Sequence, residues 1–213
     1  MKKTFNVEVP TNWDSITLRK YIDVQNDLKN YSDNEEAQTA SMFHHLCGLD
    51  PTWISRLSIE SYQTLKEKLT ALVHPTDVPL TKFVKIGGIE YGFEPNLSTM
   101  PYGAYSDISS LDTIQIDKNW AKVMNILYRP VTEKVGKLYN IQSYKPSDDW
   151  EKWLDVSMEI HFGAWFFFIN LQMDLVNAIL KSSSMQGLPP NIKSILERSG
   201  KIIRQYTNLQ KGI

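Results

Sequence analysis

Apolar residues in the first third of the chain recur at the three-and-four spacing of amphipathic helices. In residues 18–28 this spacing puts Leu18, Tyr21, Val24 and Leu28 on one face. Comparable patterns after capping residues predict three more helices, over residues 33–46, 52–57 and 59–72. Residues 4–9 instead alternate between apolar and polar, which predicts a short strand.

A β-hairpin is the clearest pattern in the middle of the chain. Two β-prone runs, Phe83–Ile86 and Ile89–Phe93, flank Gly87-Gly88, a pair that accepts positive φ at both turn positions. A hairpin alone is marginal in water, so we expect residues 4–9 to supply a third strand. Helices are predicted next over residues 99–108 and 117–127, the second ending at Pro130.

The last third contains the most apolar segment. Residues 138–144 favour a strand or an extended loop, and residues 146–158 favour a helix with Trp150 and Trp153 on one face. Residues 161–181 are apolar around most of a helix, which predicts a buried core helix. The fold class expected from these elements is α+β and mainly α: a helical body with a small antiparallel sheet made of the N-terminal strand and one hairpin.

Composition limits the number of domains and argues against several classes of function. The chain has 213 residues, 42% of them hydrophobic, and a net charge of −1, which suits one domain with a small appendage and gives no nucleic-acid or membrane field. We expect a body over residues 1–181 and a basic appendage over residues 182–213. The first residues lack the apolar segment of a signal peptide, and residues 160–171 are too short to span a bilayer, so no membrane segment is predicted.

The appendage is basic, whereas the rest of the chain is acidic. Five basic residues against Glu197 give it a net charge of +4, which leaves −5 for the rest of the chain. The basic residues are interleaved with apolar ones, which favours contact with a protein over contact with nucleic acid. The interface candidates in this segment are Lys193, Arg198, Lys201 and Arg204.

No motif in the sequence predicts catalysis, a metal or a cofactor. His44 and Cys47 have helical spacing for one shared face, but no second pair with ligand spacing accompanies them. Asp148, Asp149 and Glu151 follow Pro146, where acids also favour the first turn of a helix. We therefore expect a non-enzymatic protein without cofactors.

Aromatic residues are the remaining candidates for a protein interface. Tyr102, Tyr105 and Tyr128 with Arg129 fit interface anchors, and equally fit a buried aromatic network with satisfied hydroxyls. The closing helix adds three more candidates. They are either central to the core or part of an interface closed by oligomerisation: Trp165, Phe166 and Phe167.

Three stretches carry a resemblance to a family. PTNWDSITLR at residues 10–19, IGGIEYGFEPNLSTMPYGAYSDI at residues 86–108 and ILYRP at residues 126–130 precede a phenylalanine-rich closing helix. Their order resembles that of tailed-bacteriophage proteins labelled tail-assembly-chaperone-like, small proteins encoded among the structural genes of phages of Bacteroidetes-type hosts. The resemblance covers residues 5–181 and rests on turn glycines, helix starts and aromatic contacts.

The resemblance implies a protein that binds other phage structural proteins in the host cytoplasm during assembly. A chaperone of this type shields the long apolar helical protein that sets tail length, using exposed aromatic and apolar surfaces. A second copy of the chain is a further candidate partner. The basic appendage departs from the family pattern and favours the alternative that the chain is a stoichiometric component of the particle, such as a neck, ring or cargo protein.

Overall fold

A computed structural model describes residues 6–72, 78–111 and 116–182. It confirms the expected fold class, with a mainly helical chain and a small antiparallel sheet. The helices are α1 (Leu18–Asn30), α2 (Glu35–Cys47), α3 (Pro51–Ile54), α4 (Ile59–Thr70), α5 (Tyr102–Ser110), α6 (Ile116–Leu127) and α7 (Met158–Ser182). The strands are β1 (Phe83–Ile86), β2 (Ile89–Phe93), β3 (Tyr128–Val135) and β4 (Leu138–Ile141).

Local capping explains where the N-terminal helices begin and end. The Thr17 side chain accepts a hydrogen bond from the Lys20 amide at the start of α1, and Ser58 does the same for Ser61 at the start of α4. Gly48, with a φ of 68°, ends α2 in the left-handed conformation that glycine adopts without strain. Threonine, serine and glycine are the residue types that favour these cap positions.

The sheet has the order β1-β2-β3-β4, and each neighbouring pair is antiparallel. The predicted hairpin is confirmed as β1 and β2, and the strand alternative for residues 138–144 is confirmed as β4. The third strand is β3, which follows α6 with no intervening loop. The sequence analysis did not predict this strand. A local signal for extended backbone is nevertheless present at Arg129, because a residue that precedes a proline, here Pro130, is biased away from helix.

The prediction of an N-terminal strand beside the hairpin is wrong for residues 6–9, which are not in a strand, while residues 4 and 5 lie outside the described residues. The N-terminal segment pairs elsewhere. The Leu18 amide donates to the Val156 carbonyl over 3.1 Å, and the Met158 amide donates to the Ile16 carbonyl over 2.7 Å. A bridge between Thr17 and Ser157 completes this contact.

The same contact explains why the predicted helix over residues 146–158 is also wrong. A short 3-10 helix, Glu151–Asp155, is followed by extended backbone at Val156, and α7 begins only at Met158. Because Val156 and Met158 give their backbone groups to the N-terminal segment, they cannot continue a helix from Asp155. The helix predicted over residues 161–181 is confirmed as part of α7, but its predicted burial is confirmed only for residues 161–166, since Leu171 is 44% exposed.

The described residues divide into two compact units. The first contains residues 6–72, 81–111 and 116–161, and the second contains residues 78–80 and 162–182. In the first, the rings of Tyr91 and Tyr128 contact the fully buried Trp153, so one face of the sheet packs on the 3-10 helix. The predicted boundary at residue 182 stays a prediction, because residues 183–213 lie outside the described residues.

Gly163 is a point of close approach in the second unit. A Cβ atom placed on it would lie 2.5 Å from the carbonyl oxygen of Pro79, so the backbone would have to move. We expect Gly163→Ala to lower the free energy of unfolding by about 1–3 kcal/mol despite alanine's better helix propensity. Gly103→Ala in α5 is the matched control, since its Cβ would lie 3.4 Å from the Tyr144 ring, an ordinary contact. Chemical denaturation measures both; equal stability of the two variants would contradict the close approach.

Candidate protein interface

Helix α5 presents two exposed tyrosines side by side. Tyr102 and Tyr105 are 82% and 57% exposed, and within the described residues neither side chain makes a hydrogen bond or a ring contact. Their spacing of three residues puts the two rings on neighbouring positions of one helical face. Large exposed aromatics of this kind are characteristic anchors of protein interfaces.

The opposite side of α5 lines a groove against α6 and residues 144–150. Its volume is about 230 Å³. Asp107 and Ser110 line the groove from α5, and Gly103 lies against the Tyr144 ring. Because successive helical residues are rotated by about 100°, the tyrosine pair points away from this side. The groove side therefore fixes α5 to the body, while the tyrosine side remains at the surface.

A hydrogen bond fastens the groove side of α5. The Tyr144 hydroxyl donates to the Asp107 carboxylate. Burial and this carboxylate together raise the pKa of Tyr144 to about 12, so the hydroxyl keeps its proton at neutral pH. The Lys122 ammonium lies 5.4 Å from the Trp150 ring centroid on the neighbouring wall. These contacts give α5 a defined orientation from which Tyr102 and Tyr105 project.

Tyr128 and Arg129 occupy the buried alternative that the sequence left open. The Tyr128 hydroxyl donates to the Thr81 carbonyl over 2.6 Å, and burial raises the pKa of this hydroxyl. Arg129 is buried and salt-bridged to the equally buried Glu94. Burial lowers the pKa of the guanidinium, and the Glu94 carboxylate opposes that effect. Neither residue is a surface anchor in this chain.

The aromatic interface candidates in the closing helix, α7, differ in burial. Trp165 and Phe166 are buried, and Phe167 is half-buried. The rings of Phe162 and Phe166 stack with centroids 6.0 Å apart. The basic candidates of the appendage lie outside the described residues: Lys193, Arg198, Lys201 and Arg204.

The acidic turn lies at the surface. Asp148, Asp149 and Glu151 are exposed, and Lys152 pairs with Asp149 over 2.7 Å. The Lys152–Asp149 contact is that of a solvated ion pair between residues three apart.

His44 and Cys47, the pair with helical spacing for one shared face, make local interactions. His44 donates its Nδ1 hydrogen to the Leu49 carbonyl over 2.8 Å, and burial raises the pKa of the Cys47 thiol. No group of three or more histidine, cysteine or acidic side chains suited to a metal ion occurs within the described ranges. Over the same ranges, no helix combines the length and the apolarity needed to cross a bilayer.

One polar cluster escaped the sequence patterns. Asp27 accepts hydrogen bonds from the Ser41 hydroxyl at 2.8 Å and from His45 Nε2 at 3.0 Å, and these bonds, Ser41 first, lower the pKa of Asp27. The residue types match those of a hydrolase triad, but the carboxylate sits between the other two. A catalytic serine donates to the imidazole, so this arrangement holds α1 against α2 and does not activate the hydroxyl.

A second feature that the sequence did not indicate is an apolar pair at the end of a hairpin. Val135 and Leu138 are cross-strand partners beside the β3–β4 turn, and both are exposed.

A comparison of the chain with protein-family models, with curated proteins and with solved structures finds no match in any of the three.

Proposed function

We propose that this chain is a non-enzymatic assembly protein of a tailed bacteriophage, which binds other structural proteins of the particle as a tail-assembly chaperone. The exposed pair Tyr102 and Tyr105 on α5 is the observation that carries the binding role. The phage assignment rests on the sequence resemblance, which includes this same helix. The site of action is the host cytoplasm during assembly.

Two features of α5 suit a chaperone surface. The helix is held from its groove side, so its outer face needs no rearrangement before binding. Tyrosine supplies a large contact area with few rotatable bonds, which keeps the entropic cost of binding low. A long apolar helical client can lay one face against this exposed aromatic surface.

Co-purification from infected cells tests the binding role. A tagged wild-type chain is expected to recover one phage structural protein, and Tyr102→Ala/Tyr105→Ala to weaken that complex at least about tenfold, because anchor tyrosines often contribute 2 kcal/mol or more. Tyr31→Ala, at an exposed position of the α1 C-terminus, is the matched control and should retain the client. An unchanged yield with the double variant would contradict the assignment of the surface.

The alternative function is that of a stoichiometric component of the particle, and the charge asymmetry of the sequence favours it. A basic appendage next to an acidic body suits docking into a neighbour within an ordered assembly. Mass spectrometry of purified particles separates the two functions. Abundant peptides from this chain in mature particles would contradict the chaperone role and support the component role.

A further inference from the structure

Helix α5 has few internal features that would keep it folded and in place. It is nine residues long, and isolated helices of this length are marginal in water. Ala104 is its only buried residue, and Pro101 at its start provides no side-chain cap for the backbone amides. Its sequence also includes Gly103 and three serines, which have weaker helix propensity than alanine. The helical state of α5 therefore depends on contacts with the rest of the chain.

Tyr144 makes two of these contacts with one side chain. A Cβ atom placed on Gly103 would lie 3.4 Å from the Tyr144 ring, so the ring lies against the helix backbone at this position. The Tyr144 hydroxyl donates to the Asp107 carboxylate. Gly103 and Asp107 are four residues apart and share one face of α5. The tyrosine side chain thus spans one turn of the helix.

The polar part of this contact is not duplicated. Within the described residues, the bond from Tyr144 to Asp107 is the only side-chain hydrogen bond that joins α5 to the rest of the chain. Its acceptor is a carboxylate, and hydrogen bonds to charged acceptors are stronger than those between neutral groups. Loss of this bond should therefore loosen α5 more than loss of an average surface contact.

The sheet in turn holds Tyr144. The Gln142 amide, directly after β4, donates to the Pro130 carbonyl of β3 over 2.8 Å. This bond continues the antiparallel pairing of β3 and β4 to within two residues of Tyr144. The Tyr144 side chain is half-buried, and it connects the sheet to α5.

We propose that Tyr144 is a positioning residue for the binding surface of α5, whose ring and hydroxyl hold the helix so that Tyr102 and Tyr105 are presented together. The side chains of these two tyrosines make no hydrogen bond or ring contact within the described residues. Their relative placement is consequently that of the α5 backbone, which Tyr144 supports. The consequence for client binding rests on the proposed function, whereas the effect on α5 does not.

Hydrogen–deuterium exchange of the full chain, measured by mass spectrometry over residues 102–110, tests the effect on the helix. Tyr144→Phe removes the hydroxyl and keeps the ring, and it should speed amide exchange in α5 at least about tenfold. Tyr139→Phe is the matched control, since it removes a hydroxyl that donates to the Phe93 carbonyl over 2.7 Å. Local opening of α5 does not break that bond, so the control should leave exchange in α5 unchanged.

Two substitutions at Asp107 test the hydrogen bond itself. Asp107→Leu removes the acceptor and should speed exchange in α5 as Tyr144→Phe does. Asp107→Asn keeps an oxygen that can accept from the Tyr144 hydroxyl, so its exchange should stay closer to that of wild type. A merely global loss of stability would instead speed exchange in α1 and α5 alike, and that outcome would contradict a positioning role.

Recovery of the client by the tagged chain tests the consequence for binding. Tyr144→Ala, which removes the ring and the hydroxyl together, should weaken the complex at least about threefold, because a smaller fraction of the chain then holds α5 in the binding orientation. Asp107→Asn and Tyr139→Phe should retain the client.

Two outcomes would overturn the proposal. One is exchange in α5 that stays at the wild-type level in both Tyr144 variants. The other is unchanged recovery by Tyr144→Ala of a client that depends on Tyr102 and Tyr105. A wild-type chain that recovers no client would contradict the proposed function, and the exchange measurement alone then decides the role of Tyr144.

Discussion

Replacing Glu94 with leucine is expected to lower the free energy of unfolding by about 3–5 kcal/mol, because it leaves the Arg129 guanidinium buried without its salt-bridge partner. Glu94 directly follows β2, and Arg129 lies near the start of β3, the strand that pairs with β2. The Nε atom of Arg129 is buried with no hydrogen-bond partner in the described residues, so the guanidinium depends strongly on this one carboxylate. Urea denaturation, monitored by circular dichroism, measures the loss of unfolding free energy.

The double variant Glu94→Leu/Arg129→Met separates a stranded charge from lost packing. Removing both charges should restore most of the stability, since a buried ion pair and an apolar pair of similar volume are often equivalent. Glu35→Gln is the control, because it breaks the exposed Lys66–Glu35 pair and should leave the denaturation midpoint unchanged. A Glu94→Leu variant as stable as wild type would show that the guanidinium is not stranded.

Acidification from about pH 6.5 to pH 4 should cost the wild-type protein about 3 kcal/mol through His161 alone. Its side chain is 0% exposed, Nε2 donates to the Trp153 carbonyl over 2.9 Å, and burial lowers its pKa from 6.5 to about 4. Between these values the unfolded chain binds a proton that the folded chain does not. The neutral, buried His161 therefore contributes its full stabilisation above pH 6.5, and this contribution is lost as the pH falls through 4.

His161→Gln isolates this effect, since glutamine does not titrate and can still donate to the carbonyl. The carboxyls of Asp27 and Asp155, whose pKa values are lowered by hydrogen bonds from Ser41 and Arg19, destabilise both proteins equally at low pH. The difference in unfolding free energy between wild type and variant should consequently shrink or reverse by about 3 kcal/mol as the pH drops. A difference that is constant from pH 7 to pH 4 would contradict a neutral buried histidine.

The helices were predictable because their signals are local. Thr17, Gly48 and Ser58 mark helix ends through hydrogen bonds that span a few residues, and apolar spacing identifies the buried faces. Gly87-Gly88 marks the hairpin for the same reason. What the sequence did not reveal is β3, since it contains a proline and a register shift between Val131 and Glu133 that interrupts its alternation.

The candidate site divides in the same way. The sequence proposed Tyr102, Tyr105 and Tyr128 alike as interface anchors or as buried aromatics, yet two are exposed and one is buried. Their difference arises from tertiary packing, because Tyr128 belongs to a strand that lies on Trp153. The partner of Arg129 is equally non-local, 35 residues away along a chain that contains 24 acidic residues. Only the tertiary fold determines that Glu94, among these acidic residues, pairs with Arg129.

The bridge between Thr17 and Ser157 also determines when the first unit can fold. About 140 residues separate the two ends of this contact, so closing it carries a loop-entropy cost that no local element shares. During translation, Ile16 and Leu18 emerge long before Val156 and Met158, and α1 must wait for them with its entry segment uncovered. The first unit can therefore complete its fold only after residues 156–158 have been synthesised, and closing this long-range contact slows its folding.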